Sequence, residues 1–293
     1  MRRRRDRRRA PVLPWAVTVT GALVMALPYA DMLLTSFKGP GDYARLPYRF
    51  LPSSFGLANY RDAVDRLDLP ALARTSVLTS LAVTVSVLCT SSLAGYALAK
   101  LRFPGRGPLF RLVLATMMLP PFLLLIPHFL ILAHWPLAGG NDLYGHGGSG
   151  LTTSIAALAL PFSVSAFGIF LMRQFIAAIP DEILEAARLD GAGELTLWWR
   201  VVLPQTAPAV VTLALLTFTA TWNEYIWALL ISTADPRLMT LPVGMQLLQG
   251  RLDPQRTTPL LMASLVLSTL PVLALFLLLQ RHYVRGVTQS MGA

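Results

Sequence analysis

Apolar residues fall into six long runs, near 12–34, 76–99, 112–134, 151–172, 207–233 and 257–280, separated by more polar stretches. At ~1.5 Å per helical residue, each run is long enough to cross a hydrocarbon core of ~30 Å. The second has no charged residue between Arg74 and Lys100, which leaves 25 uncharged positions. A single span satisfies all its own backbone groups only as a helix, and the alternation of a membrane barrel strand is absent. The pattern therefore predicts an all-α integral membrane chain with six transmembrane helices. Pro120, Pro121, Pro127, Pro161 and Pro271 lie inside the runs and predict bends. Between the runs, "FGLANYRDAVDRLDLP" predicts a short surface helix. "WPLAGGNDLYGHGGSG" predicts a mobile loop because of its glycines. A third outer loop is expected near 234–256.

Composition supports the membrane reading. Of 293 residues, 54% are hydrophobic and only 14% charged, with a mean hydropathy of +0.56, whereas soluble domains are about one quarter charged. The net charge of +10 owes most to "RRRRDRRR" in a basic head over residues 1–11. With the N-terminus inside, sixteen Lys and Arg fall on the inner side and nine on the outer. This asymmetry predicts that both termini are cytoplasmic. The head then reads as a topology signal attracted to anionic membrane lipid, rather than as a nucleic-acid site. A cleavable leader would need small residues where "LVMALPYADM" stands, so the first run is expected to remain as an anchor. The single cysteine, Cys89, excludes an internal disulfide and is expected to be a small buried hydrophobe.

One inner stretch is unusual. "DEILEAARLDGAGELTLWWRVVLPQ", residues 181–205, mixes carboxylates and arginines with Leu184, Leu195, Trp198 and Trp199. Asp181, Glu182 and Glu185 follow Pro180, where negative charge suits a helix start. Gly191 after Asp190 supplies the left-handed residue that ends a helix. A second short helix is expected from about Glu194 to Leu203, with Pro204 before the next span. The result is a helical pair on the inner membrane face, on which Ala186 and Ala187 allow close approach of a partner.

Within the runs, Glu224 is the acidic residue placed well inside apolar sequence, and Asn223 precedes it. A central carboxylate costs about 2.5–3.5 kcal/mol on insertion scales, which favours a cavity. Counting from residue 207 places it ~25 Å up, in the outer half, so an interfacial position competes. Trp222, Tyr225 and Trp227 suit either sugar stacking or the membrane interface.

Other chemistry is missing or misplaced. A phosphate-binding loop needs Gly-Lys followed by Ser or Thr, but Lys38 precedes Gly39 and Lys100 precedes Leu101. "GGSG" at 147–150 resembles the serine motif of six-span rhomboid proteases. By this topology Ser149 and His282 would lie about 30 Å apart, too far for a nucleophile and its base. His128 and His134 are six apart and fall on different helix faces, so no metal site is expected.

The spacing of Glu185, Ala186, Ala187, Gly191, Val201, Leu203 and Pro204 resembles the coupling motif of binding-protein-dependent ABC importer permeases, with Val201 where isoleucine is usual. "LLTSFKGP", "GYALAKLRFPGR", "MMLPPFLLLIP", "TWNEYIWAL" and "LFLLLQRHYVRGVTQ" extend the likeness, in order, over nearly all of 12–293. They resemble most the smaller permease of maltose-type sugar transporters. Ala228, where the family often has proline, and the tail "GVTQSMGA" depart from the pattern. The resemblance implies an ATPase-coupling segment at 181–204 that includes Asp190, with Asn223 and Glu224 as candidate pathway residues. It also implies a second homologous permease, two ATP-binding cassette ATPase subunits holding ATP and Mg, and an extracytoplasmic solute-binding protein. The chain itself would carry no cofactor and no enzymatic activity. The substrate implied is a carbohydrate, with another solute of the same importer superfamily as the alternative. The setting implied is a bacterial cytoplasmic membrane.

Overall fold

The computed structural model describes residues 12–43, 47–249 and 254–290, so the basic head lies outside the described residues. In chain order the α-helices are α1 (Val12–Thr35), α2 (Pro40–Tyr43), α3 (Ala58–Leu67), α4 (Leu69–Lys100), α5 (Arg106–Thr116), α6 (Leu125–Ala133), α7 (Ile155–Ala159) and α8 (Ala166–Ala177). They continue with α9 (Asp181–Leu189), α10 (Glu194–Leu197), α11 (Leu203–Gln205), α12 (Ala207–Trp222), α13 (Ile226–Ala234), α14 (Leu241–Gln249) and α15 (Pro254–Ser290). Among the described residues there is no strand.

Among the described residues, three helices are by themselves long and apolar enough to cross a membrane: Pro14–Thr35, Leu69–Lys100 and Thr257–Gln280. Three bent pairs pass the same test: Arg106–Thr116 with Pro121–Ala133 at 95°, Ile155–Phe162 with Ala166–Ala177 at 50°, and Glu194–Gln205 with Ala207–Trp222 at 82°. Several expected boundaries change as a result. The second run starts at Leu69 rather than near 76, because Leu69 and Leu72 are buried and extend its packed face. The third breaks before Pro120 and Pro121, where the missing N–H groups interrupt the helical ladder. The fourth breaks at 163–165, and Ser165 restarts it by accepting a hydrogen bond from Gly168 N at 3.0 Å. The fifth, expected as one helix over 207–233, is two helices separated at 223–225.

The chain divides into two units, residues 69–246 with 270–293 and residues 1–68 with 247–269. In the first, α4 crosses α8 and α12 through Val83, Val87, Met172, Ile176, Ala209 and Leu213. The crossing is close because its contact points are small. A Cβ on Gly95 would lie 2.9 Å from the backbone nitrogen of Arg173, and one on Gly168 would lie 2.4 Å from Ser91 Oγ. Small residues at such crossings let helix backbones approach where apolar burial alone gives no drive. Further along α4, Ser76 Oγ accepts from Leu241 N at 2.8 Å and so caps the start of α14. A second apolar cluster joins Leu132, Leu158, Trp227, Ile231 and Val243, and Trp227 Nε1 donates to Ala157 O at 2.9 Å.

In the other unit, α3 forms the expected surface helix and Ala63 packs with Leu248 and Leu260. Lys38 is buried, and its ammonium donates to the Tyr48 hydroxyl at 2.9 Å, which in turn donates to Asp31.

Two expectations about side chains fail. Cys89 lies on the exposed face of α4, because the buried face of that helix runs through Val83, Val87, Ser91 and Ser92. The glycine-rich loop is closely tied rather than loose. Asn141 Nδ2 donates to Ala133 O and Trp135 O, Asn141 Oδ1 accepts from Gly148 N, and Asp142 Oδ1 accepts from the amides of Tyr144 and His146.

The α4–α8 crossing makes a prediction. Gly95→Ala places a methyl group against backbone and should destabilise the protein by about 1–3 kcal/mol. Gly107→Ala, with nothing within 4 Å of its Cβ, should be neutral or mildly stabilising. Thermal unfolding of the two variants in detergent checks this; equal stability would contradict the close crossing.

Candidate functional site

The helical pair at 181–205 is built as a closed hairpin. Helix α9 ends with Gly191 at φ +85°, a backbone region that carries no penalty for glycine. Gly191 N bonds Arg188 O and Ala192 N bonds Ala187 O, both at 3.0 Å, which is the Schellman pattern of a helix end. Arg188 then reaches across the turn to Glu194, with Nε–Oε1 at 2.8 Å and Nη2–Oε2 at 3.3 Å. The Tyr96 hydroxyl at the end of α4 donates to the same carboxylate. The Arg188 guanidinium, together with that hydroxyl, holds the Glu194 carboxyl below the usual glutamate range.

A second tie runs from Lys100. Its ammonium donates to Ile179 O and, at 2.6 Å, to Asp181 Oδ1. The lysine side chain is only 7% exposed while that of Asp181 is 69% exposed, so a buried cation meets a wet carboxylate. The hydrogen bond from Lys100 holds the Asp181 carboxyl below its ordinary value. Arg106 donates to Ala99 O and Leu101 O, and Arg173 donates to Leu98 O. Cations thus satisfy the carbonyls that the end of α4 leaves open. Sequence reading passed over Lys100 and Tyr96; the only hint was the position of "GYALAK" at the inner end of an apolar run.

After α10 the chain does not stop at Leu203 as expected. It continues through a π-helical turn, Trp198–Val202, into α11, and Pro204 lies inside the last turn. Pro204 has no N–H for an α-type bond to Arg200 O, and the wider turn accommodates that gap. The chain then bends by 82° into α12.

Of the residues singled out in this segment, Glu185, Ala186, Asp190 and Gly191 are exposed, Ala187 packs against the core, Leu203 is half-buried and Pro204 is exposed. Leu184 anchors α9 at 1% exposure. Leu189, Leu195 and Trp199 stand out from the hairpin, with Leu189 89% exposed. These apolar residues beside an exposed Glu185 and Ala186 form the surface of the hairpin.

Asn223 and Glu224 separate. Asn223 donates to Thr219 O and closes the end of α12. Glu224 caps α13, accepting from Trp227 N at 2.8 Å and Ala228 N at 2.9 Å. A proline at 228 could not donate the second bond, so Ala228 and this cap belong together. Glu224 also lines a cavity of about 510 Å³ with Thr116, Phe122, His128, Phe162 and Trp227. All three helix interruptions, at 117–120, 163–165 and 223–225, border this cavity. His128 meets Trp227 edge-to-face, with centroids 6.2 Å apart. Among the described residues, no group of three or more His, Cys, Asp or Glu is placed to hold a metal.

A family model described as "Binding-protein-dependent transport system inner membrane component" matches residues 88–289. The chain is 34% identical to the sn-glycerol-3-phosphate transport system permease protein UgpE of Yersinia enterocolitica, over 73% of this chain and 71% of the relative. It is 29% identical to the arabinooligosaccharides transport system permease protein AraQ of Halalkalibacterium halodurans, over 96% and 97%. Its fold matches a chain of a bacterial ABC transporter involved in the import of the acidic polysaccharide alginate, with a TM-score of 0.74 and 23% identity over 93% of this chain and 95% of that one.

The Glu194 cluster predicts an acid response. A carboxyl whose folded value is lowered contributes stability above its unfolded value, ~4.3, and loses it as pH falls through the folded value. Near neutral pH, Glu194→Gln should therefore be less stable than wild type by about 0.2–1 kcal/mol, as befits a half-exposed pair. Thermal unfolding of the two proteins across pH should show this gap closing below pH ~4. A gap independent of pH would remove the carboxylate from the account.

Proposed function

Because the chain belongs to the binding-protein-dependent transport system inner membrane components, and is thus a permease subunit of an ABC importer rather than an enzyme, we propose that its 181–204 hairpin is the coupling element that engages an ATPase subunit. The observation that carries this reading is the double tie of the hairpin to α4, through Lys100 with Asp181 and through Tyr96 with Glu194. A push on exposed Glu185, Ala186, Leu189, Leu195 and Trp199 would pass through these bonds into a membrane helix. The 82° bend at Thr206 supports the same role, since it sets the hairpin across the direction of α12.

In this reading Arg106–Ala133 and Ile155–Ala177 are one broken span each, and α12 with α13 forms the fifth, giving six spans with both termini cytoplasmic. A second homologous permease completes the pathway, two partner ATPases bind ATP and Mg, and an extracytoplasmic solute-binding protein delivers the substrate. Asp190 and Gly191 shape the turn of the coupling element, while Leu203 and Pro204 shape its exit. The substrate class is carbohydrate, in line with the name of the arabinooligosaccharide relative. A phosphorylated small solute is the second reading, favoured by the name of the glycerol phosphate relative. Asn223 and Glu224 serve the pathway by ending α12 and starting α13 at the cavity.

Two measurements test this function. Gly191→Val forces a β-branched residue into φ +85°, so uptake by the reconstituted importer should fall sharply while membrane insertion persists. Gly193→Val, at φ −73° and with nothing within 4 Å, should transport normally. Wild-type uptake by Gly191→Val would remove the hairpin from coupling. Separately, cysteines at Tyr144 and Gly193 in a Cys89→Ser background should react with an impermeant reagent from opposite sides of the membrane. Labelling of both from one side would overturn the six-span arrangement.

A further inference from the structure

We propose that the cavity where the three helix breaks meet binds an uncharged sugar, with His128 as its hydrogen-bonding group and Phe122 as a stacking face; this rests on the reading of the chain as an importer permease. Interrupted helices in transporters commonly surround a substrate site, and anionic substrates there are met by open helix N-termini. Here the chain itself occupies or withholds several of those donors. At α13 the amides of Trp227 and Ala228 are bound by the Glu224 carboxylate. At α8 the amide of Gly168 is bound by Ser165 Oγ. At the third break Pro120 and Pro121 have no N–H to offer.

Side chains point to the same class. Among the described residues no Lys or Arg lines the cavity, so a phosphate or carboxylate would enter without the cation that normally recognises it. It would also face the oxygens of Glu224, which already accept from two amides and offer an anion no donor. A neutral sugar meets no such penalty. Phe122 is exposed, and its ring offers an apolar face for the C–H side of a pyranose. Trp227 has its indole N–H committed to Ala157 O, so it forms the wall behind His128 rather than a donor to substrate. The His128 ring makes no hydrogen bond among the described residues, and its edge-to-face seat on Trp227 leaves it at the cavity surface. Hydroxyl groups are its natural partners. A lipid acyl chain in this space would leave both His128 and Glu224 facing hydrocarbon, an expensive arrangement. Glu224 is on this view a positioning residue, which fixes α13 and with it Trp227 and His128.

The test uses the purified complex of both permeases and the ATPases, with Cys89→Ser and Thr116→Cys in this chain, a lining position that leaves Phe122 and His128 in place. Labelling of Thr116→Cys by a water-soluble maleimide is followed with and without Mg-ATP. A panel of neutral oligosaccharides (maltotriose, arabinotriose, cellotriose and raffinose) should include members that slow labelling at millimolar concentration. sn-Glycerol 3-phosphate and an alginate trisaccharide should not. No protection by any neutral sugar, or stronger protection by the anions, overturns the proposal. Protection that depends only on detergent chain length does the same and marks an acyl occupant. In parallel, His128→Ala should raise the KM for uptake roughly five- to a hundredfold, the effect of stranding one hydrogen-bond partner. His128→Gln should restore part of it, and the unaltered complex should show ATPase stimulation by the loaded binding protein. Unchanged KM in His128→Ala contradicts the proposal. Loss of the stimulation in wild-type complex would instead contradict the permease reading beneath it.

Discussion

A buried ammonium at the C-terminal end of α4 organises the segment that follows α8. Lys100 lies at the C-terminus of α4, where helix carbonyls concentrate negative charge, and donates to Ile179 O and Asp181 Oδ1. A cation this well shielded from water is costly to leave without partners, so the start of α9 is held wherever the end of α4 goes. The Tyr96–Glu194–Arg188 chain adds a second attachment on the other arm of the hairpin. With Gly191 closing the turn between them, the segment is fastened at two points and bent sharply at a third. This is the form a lever needs.

Toward the opposite side, the same unit uses broken helices. Continuous spans such as α4 are held by close crossings at Gly95 and Gly168, which leave little freedom. The interruptions at 117–120, 163–165 and 223–225 instead leave a space bordered by backbone ends that the chain has largely capped for itself. The unit thus combines close crossings with local breaks: the crossings pack α4 tightly against α8 and α12, and the breaks leave a cavity.

Much of this was legible in the sequence. The six apolar runs, the breaks beside Pro120, Pro121 and Pro161, the surface helix at 58–67 and the left-handed Gly191 all follow from local rules that act within a few residues, whereas Pro127 and Pro271 lie within the unbroken helices α6 and α15. What escaped was nonlocal. Nothing near Lys100 announces Ile179 and Asp181, and nothing near Tyr96 announces Glu194. The break at 223–225 was missed because a glutamate amid apolar residues looks like a buried charge, when its oxygens in fact replace a turn of helix. Cys89 was misjudged because an apolar run does not reveal which face is packed. The glycine-rich loop was misjudged because Asn141 and Asp142 tie down what the glycines loosen.

If Lys100 ties the hairpin to the end of α4, the two move as one body. Spin labels on cysteines at Leu189 and Gly105, in the Cys89→Ser background of the assembled importer, report this by pulsed electron resonance. A narrow Leu189–Gly105 distance is expected, the same with and without ATP, broadening when Lys100→Met removes the tie. A distance that changes with nucleotide while Lys100 is present would contradict it.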